Sequence, residues 1–145
     1  MKKQTLILIF FLLAGTVAQA ALPQGRWTVE KVTVEKNTGG SIETNVYNSA
    51  AELQGFFIPC MQELVVNEQT VTLRYPNDRE ETWTYSLEGD TLTIHNLMGA
   101  QTFQYSINGE NLILTAVYSY VNNNLQARTS TRIIEKRIIN FNLEP

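Results

Sequence analysis

One histidine, one cysteine and two aspartates limit what this 145-residue chain can catalyse. A single imidazole excludes sites built on two, and a single thiol excludes an internal disulfide framework. His95 lies between Ile94 and Asn96 and out of phase with Leu92 and Ile94, so the alternation turns it outward. Its ordinary pKa of about 6.5 suits acid–base or switching work, but an exterior polar histidine is the plainer reading. No Ser–His–Asp or Cys–His set can be assembled, because no nucleophile sits at a recognisable turn. Cys60, after Pro59, reads as a buried thiol or an intermolecular bridge. Asp78, Glu80 and Glu81 fall together in a turn and read as a solvated loop. A weak calcium site there would need about six oxygen ligands or more, and no zinc spacing occurs. The expectation is a non-enzyme with no catalytic residue, no metal and no cofactor.

The chemistry left is binding. Tyr75, Trp83, Met98, Phe103, Tyr118 and Tyr120 gather toward the longer connections of the chain. Tyrosine and tryptophan offer an apolar body with a hydrogen-bonding tip, which suits a small apolar or amphipathic ligand. The same residues would also serve as a core, and a small barrel takes either form.

These side chains must be held by strands. Val71, Leu73 and Tyr75 alternate with polar residues. So do Trp83, Tyr85 and Leu87; Leu92 and Ile94; Phe103, Tyr105 and Ile107; and Leu112, Leu114, Ala116 and Tyr118. This is the period of a half-buried strand. Residues 26–36, 41–47, 61–67 and 127–139 read likewise, with loops at 76–81, 97–100 and 121–126. Tyr85-Ser86-Leu87-Glu88-Gly89-Asp90 is echoed by Tyr105-Ser106-Ile107-Asn108-Gly109-Glu110, so two hairpins follow one another with a glycine in each tight turn. Trp27 and Val29 are out of phase with Val32 and Val34, which predicts a β-bulge near Glu30. Ser49-Ala50-Ala51-Glu52 is a capping box, predicting one short helix that Pro59 ends, as a connector or a lid. The fold class is all-β: an up-and-down antiparallel barrel of eight to ten strands, since closure removes the two open edges of a meander.

Residues 1–20 have a different character. Lys2 and Lys3, an apolar run from Leu6 to Ala14 and Ala18-Gln19-Ala20 form the pattern of a cleaved secretory signal. The run is shorter than the roughly 20 residues of a permanent span. The expected domain is then 21–145, periplasmic or secreted, with no membrane span. The formal charge is −3, from 11 Lys and Arg against 14 Asp and Glu. An acidic chain with no basic block is a poor partner for nucleic acid.

Gly25-Arg26-Trp27 opens the first strand, directly after the expected cleavage point. With the repeated Tyr-Ser-Leu/Ile-x-Gly hairpins and a basic last strand, the chain resembles the small secreted lipocalin-like domains of Gram-negative bacteria, in the calycin group. The resemblance implies that Trp27 closes the narrow end of the barrel and that an arginine of the last strand packs over it. Arg137 should lie nearer Trp27 than Arg128 does, with Arg132 second. The helix that would follow the last strand in that family, and its loop signatures, are absent.

Three readings follow. The first is a binding protein for a small apolar or amphipathic molecule, near Trp83, Phe103, Tyr118 and Tyr75. The second is a protein-interaction module like a protease inhibitor, using Ala21-Leu22-Pro23-Gln24 as an extended arm. The third, an enzyme, lacks an acid–base pair.

Overall fold

The alternation produces nine antiparallel strands in the computed structural model, which describes residues 21–48, 52 and 61–145. They are β1 (Gly25–Thr38), β2 (Ser41–Tyr47), β3 (Glu63–Val66), β4 (Thr70–Arg74), β5 (Glu80–Glu88), β6 (Thr91–Asn96), β7 (Gly99–Asn108), β8 (Asn111–Asn124) and β9 (Thr129–Leu143). The expected signal segment, the capping-box helix and Cys60 lie outside the described residues. At the edge of that gap the Asn48 N–H donates to Glu52 Oε2 at 3.3 Å. No helix among the described residues is long and apolar enough to cross a membrane.

The sheet runs β2-β1-β3-β4-β5-β6-β7-β8-β9, and β9 returns to pair with β1. Eight strands, β1 and β3–β9, therefore close a barrel, and β2 is the ninth. Because β9 occupies one edge of β1, β2 and β3 must share the other. β3 takes Gly25–Thr28 and β2 takes Val32–Thr38. The expected bulge is present: Val29 faces Phe141 and Lys31 faces Asn140, leaving Glu30 over. It restores Val32 and Val34 to the inner face, where both are buried.

One end is closed. Trp27, Leu64, Val71, Leu92, Leu112 and Phe141 are fully buried there. Leu22 is buried with them, and the Trp27 indole N–H donates to the Pro23 carbonyl at 3.1 Å. Of the residues read as an extended arm, Leu22 packs into the barrel floor among apolar neighbours, while Ala21, Pro23 and Gln24 are exposed. Gly25 has φ +138°, and a Cβ would meet Leu143 Cδ1 at 2.9 Å. The turns at 89–90 and 109–110 join this end, with Gly89 and Gly109 at φ +60° and +61°.

The twenty-residue echo has a structural cause. The Tyr85 N–H bonds the Gln69 carbonyl, and its hydroxyl donates to carbonyls of the β3–β4 turn at Asn67 and Glu68. The Tyr105 N–H bonds the Asp90 carbonyl, and its hydroxyl donates to Gly89 O at 3.1 Å. Each tyrosine ties its strand to the tight turn that opens the neighbouring strand, β4 for Tyr85 and β6 for Tyr105.

Among the described residues the other end is open. β7 and β8 pair only from Gln104–Thr115 downward, while β8 and β9 stay paired up to Asn124–Thr129. The upper parts of β8, β9, β1 and β2 form a four-stranded wing above the closed half. Asn122-Asn123-Asn124, read as a loop, is strand. The Ser130 hydroxyl bonds Asn123 Oδ1, and Asn124 Oδ1 receives the turn N–H groups of Gln126 and Ala127.

Candidate functional site

The registers fix which side chains face the interior above the floor. From Ile139 upward, the inward positions of β9 are Arg137 and Glu135; Arg137 stands opposite Val34 and Ala116, and Glu135 opposite Lys36 and Tyr118. Both charged residues are buried, Glu135 at 6% exposure and Arg137 at 3%. Arg137 Nη2 lies 2.9 Å from Glu135 Oε1. The second carboxylate oxygen accepts the Tyr120 hydroxyl at 3.2 Å. Across the split between β7 and β8, Gln101 Nε2 donates to the Tyr118 hydroxyl at 3.0 Å.

A second polar group stands on β4 and β5. Leu73 pairs with Glu81 and Val71 with Trp83, so Glu81 shares the inner face of Trp83. Its Oε2 accepts the Trp83 indole N–H at 3.2 Å and the Tyr75 hydroxyl at 3.4 Å. Its Oε1 lies 3.0 Å from Arg79 Nη2, and the Arg79 guanidinium sits 4.5 Å from the centre of the Tyr75 ring.

Electrostatics keep the two phenols protonated. Desolvation, then the Glu81 charge, push the Tyr75 hydroxyl above the usual tyrosine range. Tyr120 is raised by desolvation first and by Glu135 second. A proton on each phenol lets it donate to its carboxylate.

The sequence-predicted residues separate into groups. Tyr75, Trp83 and Tyr118 are partly buried against the core, and Tyr120 is 41% exposed with its hydroxyl on Glu135. Phe103 lies deeper, buried opposite Leu92, and belongs to the floor. Met98 is a correction: it is 98% exposed at the tip of the β6–β7 turn, where its N–H is capped by Asn96 Oδ1. A turn residue outside the ladder has no inward position to occupy. Arg137 also differs from the family expectation. It is nearer Trp27 in register than Arg132 or Arg128, but Trp27 faces Leu143, six residues farther along β9. At about 3.3 Å per residue this separation of roughly 20 Å exceeds a side chain's reach. Glu81, assigned to a solvated loop, points inward instead.

Glu135 and Glu81 are the residues that sequence reasoning missed. The signal was parity: Glu135 is in phase with Ile139 and Phe141, and Glu81 with Trp83 and Tyr85. His95 faces outward as expected, its Nε2 3.1 Å from Ser86 Oγ. Among the described residues no three His, Cys, Asp or Glu side chains converge to hold a metal.

The outer wall carries a recess of about 380 Å³ beside β1, β3 and β4. Glu144, Arg26, Glu63, Arg74 and Glu80 cross it in alternating charge, at 3.8, 2.9, 2.8 and 2.6 Å. Glu63, Glu80 and Glu144 each already have a cation, and such exposed pairs contribute about 1 kcal/mol or less. It reads as a surface ladder across four strands.

Comparison with protein families, with curated proteins and with solved structures finds no match.

Proposed function

We propose that this chain is a lipocalin-like binding protein, secreted or periplasmic and without catalytic activity, that takes a small amphipathic molecule into the open end of its barrel. The observation that carries the reading is the buried Glu135–Arg137 pair on the inner wall. Removing two charges from water costs several kcal/mol per ion, and pairing offsets that only in part. Apolar residues at both positions would have extended the floor at no such cost. The pair is therefore of use as a recognition element: a guanidinium donor beside a carboxylate acceptor, with the Tyr118, Tyr120 and Gln101 tips around them. The apolar body of the ligand would lie against Trp83 and Tyr75, where area leaving water contributes about 25 cal/mol per Å².

Native mass spectrometry of the protein, isolated without denaturation from the cells that make it, tests this reading. A retained small molecule, and weakened binding of an apolar fluorescent dye in Trp83→Ala, are the expected results. Loss of the first together with unchanged dye binding in the variant overturns it.

A second reading, a protein-docking rim, draws on Leu97, Met98 and Leu125, which stand exposed on two upper turns. Isolated turn residues of this kind are common on ordinary surfaces, so the interior site is the better supported. Capture of a protein on the barrel, lost in Leu97→Ser/Met98→Ser/Leu125→Ser, would favour the rim.

A further inference from the structure

The outer surface of the sheet changes character from one side of the molecule to the other. On β4–β7 the outward positions carry no large apolar side chain; Thr72, Thr82, Thr84, Thr93, Thr102 and Gln104 are typical. On β2, β8 and β9 the outward positions include Ile42, Val46, Val117, Val121 and Ile134, all exposed, from 43% at Ile134 to 67% at Ile42. Single exposed apolar residues are ordinary, whereas a contiguous group of them marks an interaction surface.

The registers make these residues one patch. Thr44, Glu35, Lys136 and Val117 form a row across β2, β1, β9 and β8. Val46 and Ile138 stand in the outward row below it, and Ile42 and Ile134 in the outward row above, with Val121 beyond them opposite Arg132. On these three rows the only charged residues are Glu35 and Lys136, and they form an ion pair at 3.7 Å. The three rows are therefore electrically neutral, which suits neither nucleic acid nor an anionic lipid surface.

The position of that ion pair favours a second copy of the same face. Isologous dimers place one patch against itself about a two-fold axis. An axis in the interface plane, parallel to the strands and midway between β1 and β9, lays β1 over β9 of the second copy and β2 over its β8. Glu35 then meets Lys136 of the second copy, and Lys136 meets its Glu35. Thr44 and Ile42 lie over Val117 and Ser119 of the second copy, so apolar groups surround the crossed ion pairs. An axis across the strands through the same row would instead set Glu35 over Glu35 and Lys136 over Lys136. Sheets stacked face to face in this way pack about 10 Å apart, with strands within about 30° of each other.

We infer that the outer face of the β2-β1-β9-β8 wing is a self-association surface, which packs against the same face of a second copy with Glu35 and Lys136 crossing the axis. Four strands about 4.8 Å apart and about seven residues long outline roughly 400 Å². This is below the ~800 Å² per partner of a standard interface, so the dimer is weak and reversible. The inference is independent of the ligand reading, since it uses only the outer face.

Sedimentation velocity of the purified protein up to about 1 mM tests it, with circular dichroism to certify that each variant folds. Monomer and dimer in reversible exchange are expected. Lys136→Glu sets carboxylate against carboxylate twice across the axis and should weaken dimerisation about tenfold or more. The exchange Glu35→Lys/Lys136→Glu restores opposite charges at both contacts and should restore the dimer. Ile42→Ser/Val117→Ser keeps every charge and should also weaken it, whereas Leu97→Ser/Met98→Ser, on a distant turn, should leave it unchanged. A protein that is monomeric throughout the series overturns the inference. So does a Lys136→Glu or Ile42→Ser/Val117→Ser variant that dimerises as the parent does, or a dimer that only the turn variant abolishes.

Discussion

Along β9, Phe141 and Ile139 are buried among the apolar side chains of the floor, whereas the next two inward positions bury a charged pair. The same change occurs on β5, where Trp83 and Tyr85 are followed upward by Glu81. The lower half of the barrel is closed on every strand and plugged by Leu22. The upper half is split between β7 and β8, and its inner wall carries carboxylates, a guanidinium and phenols. Stability comes from apolar burial in the lower half. The upper half uses that stability to hold polar groups where solvent alone would not place them.

The comparison can be broken from below. Trp27→Ala removes a fully buried indole and should destabilise the fold by about 3–5 kcal/mol, read as a fall in the denaturation midpoint. In the upper half, Arg137→Met leaves Glu135 without its guanidinium and should destabilise by a similar 3–5 kcal/mol, to within about 1 kcal/mol. The double variant Glu135→Leu/Arg137→Met should recover most of that loss, because an apolar pair of similar volume is often neutral or stabilising. A double variant as unstable as the single one would show that the pair serves folding.

Alkaline titration sharpens the contrast further. Tyr75 and Tyr120 have pKa values raised in the folded protein. The unfolded chain then loses these protons first as pH passes about 10, so stability present below that point declines as pH rises toward the folded values. Tyr75→Phe/Tyr120→Phe should shallow this decline in melts recorded from about pH 8 to 11. Met98→Ser, on a fully exposed turn, should change stability by no more than about 0.5 kcal/mol and leave dye binding as it was.

Alternation made the barrel legible. The phase break between Val29 and Val32 located the bulge, and the Tyr-Ser-Leu/Ile echo located two hairpins. The site was less legible, for physical reasons. Ile133-Ile134 and Ile138-Ile139 are doublets that blur which phase of β9 is buried, so Glu135 did not stand out as inward. Glu81 adjoins a turn, where carboxylates are ordinarily solvated, and only its register with Leu73 turns it in. Arg137 was legible as a last-strand arginine, but its depth depends on the shear between β1 and β9, which alternation does not encode. The split between β7 and β8 depends on where pairing stops, and a uniform strand pattern runs straight through that point.

The central claim is that the upper interior recognises a ligand while the lower half maintains the fold. Titrating the folded protein and the Glu135→Leu/Arg137→Met double variant with anilinonaphthalene sulfonate, an aromatic body with an anionic head, tests it most directly. Saturable binding by the parent is predicted, weakened about tenfold or more in a double variant whose melting temperature is preserved. Equal binding by both proteins would contradict the account.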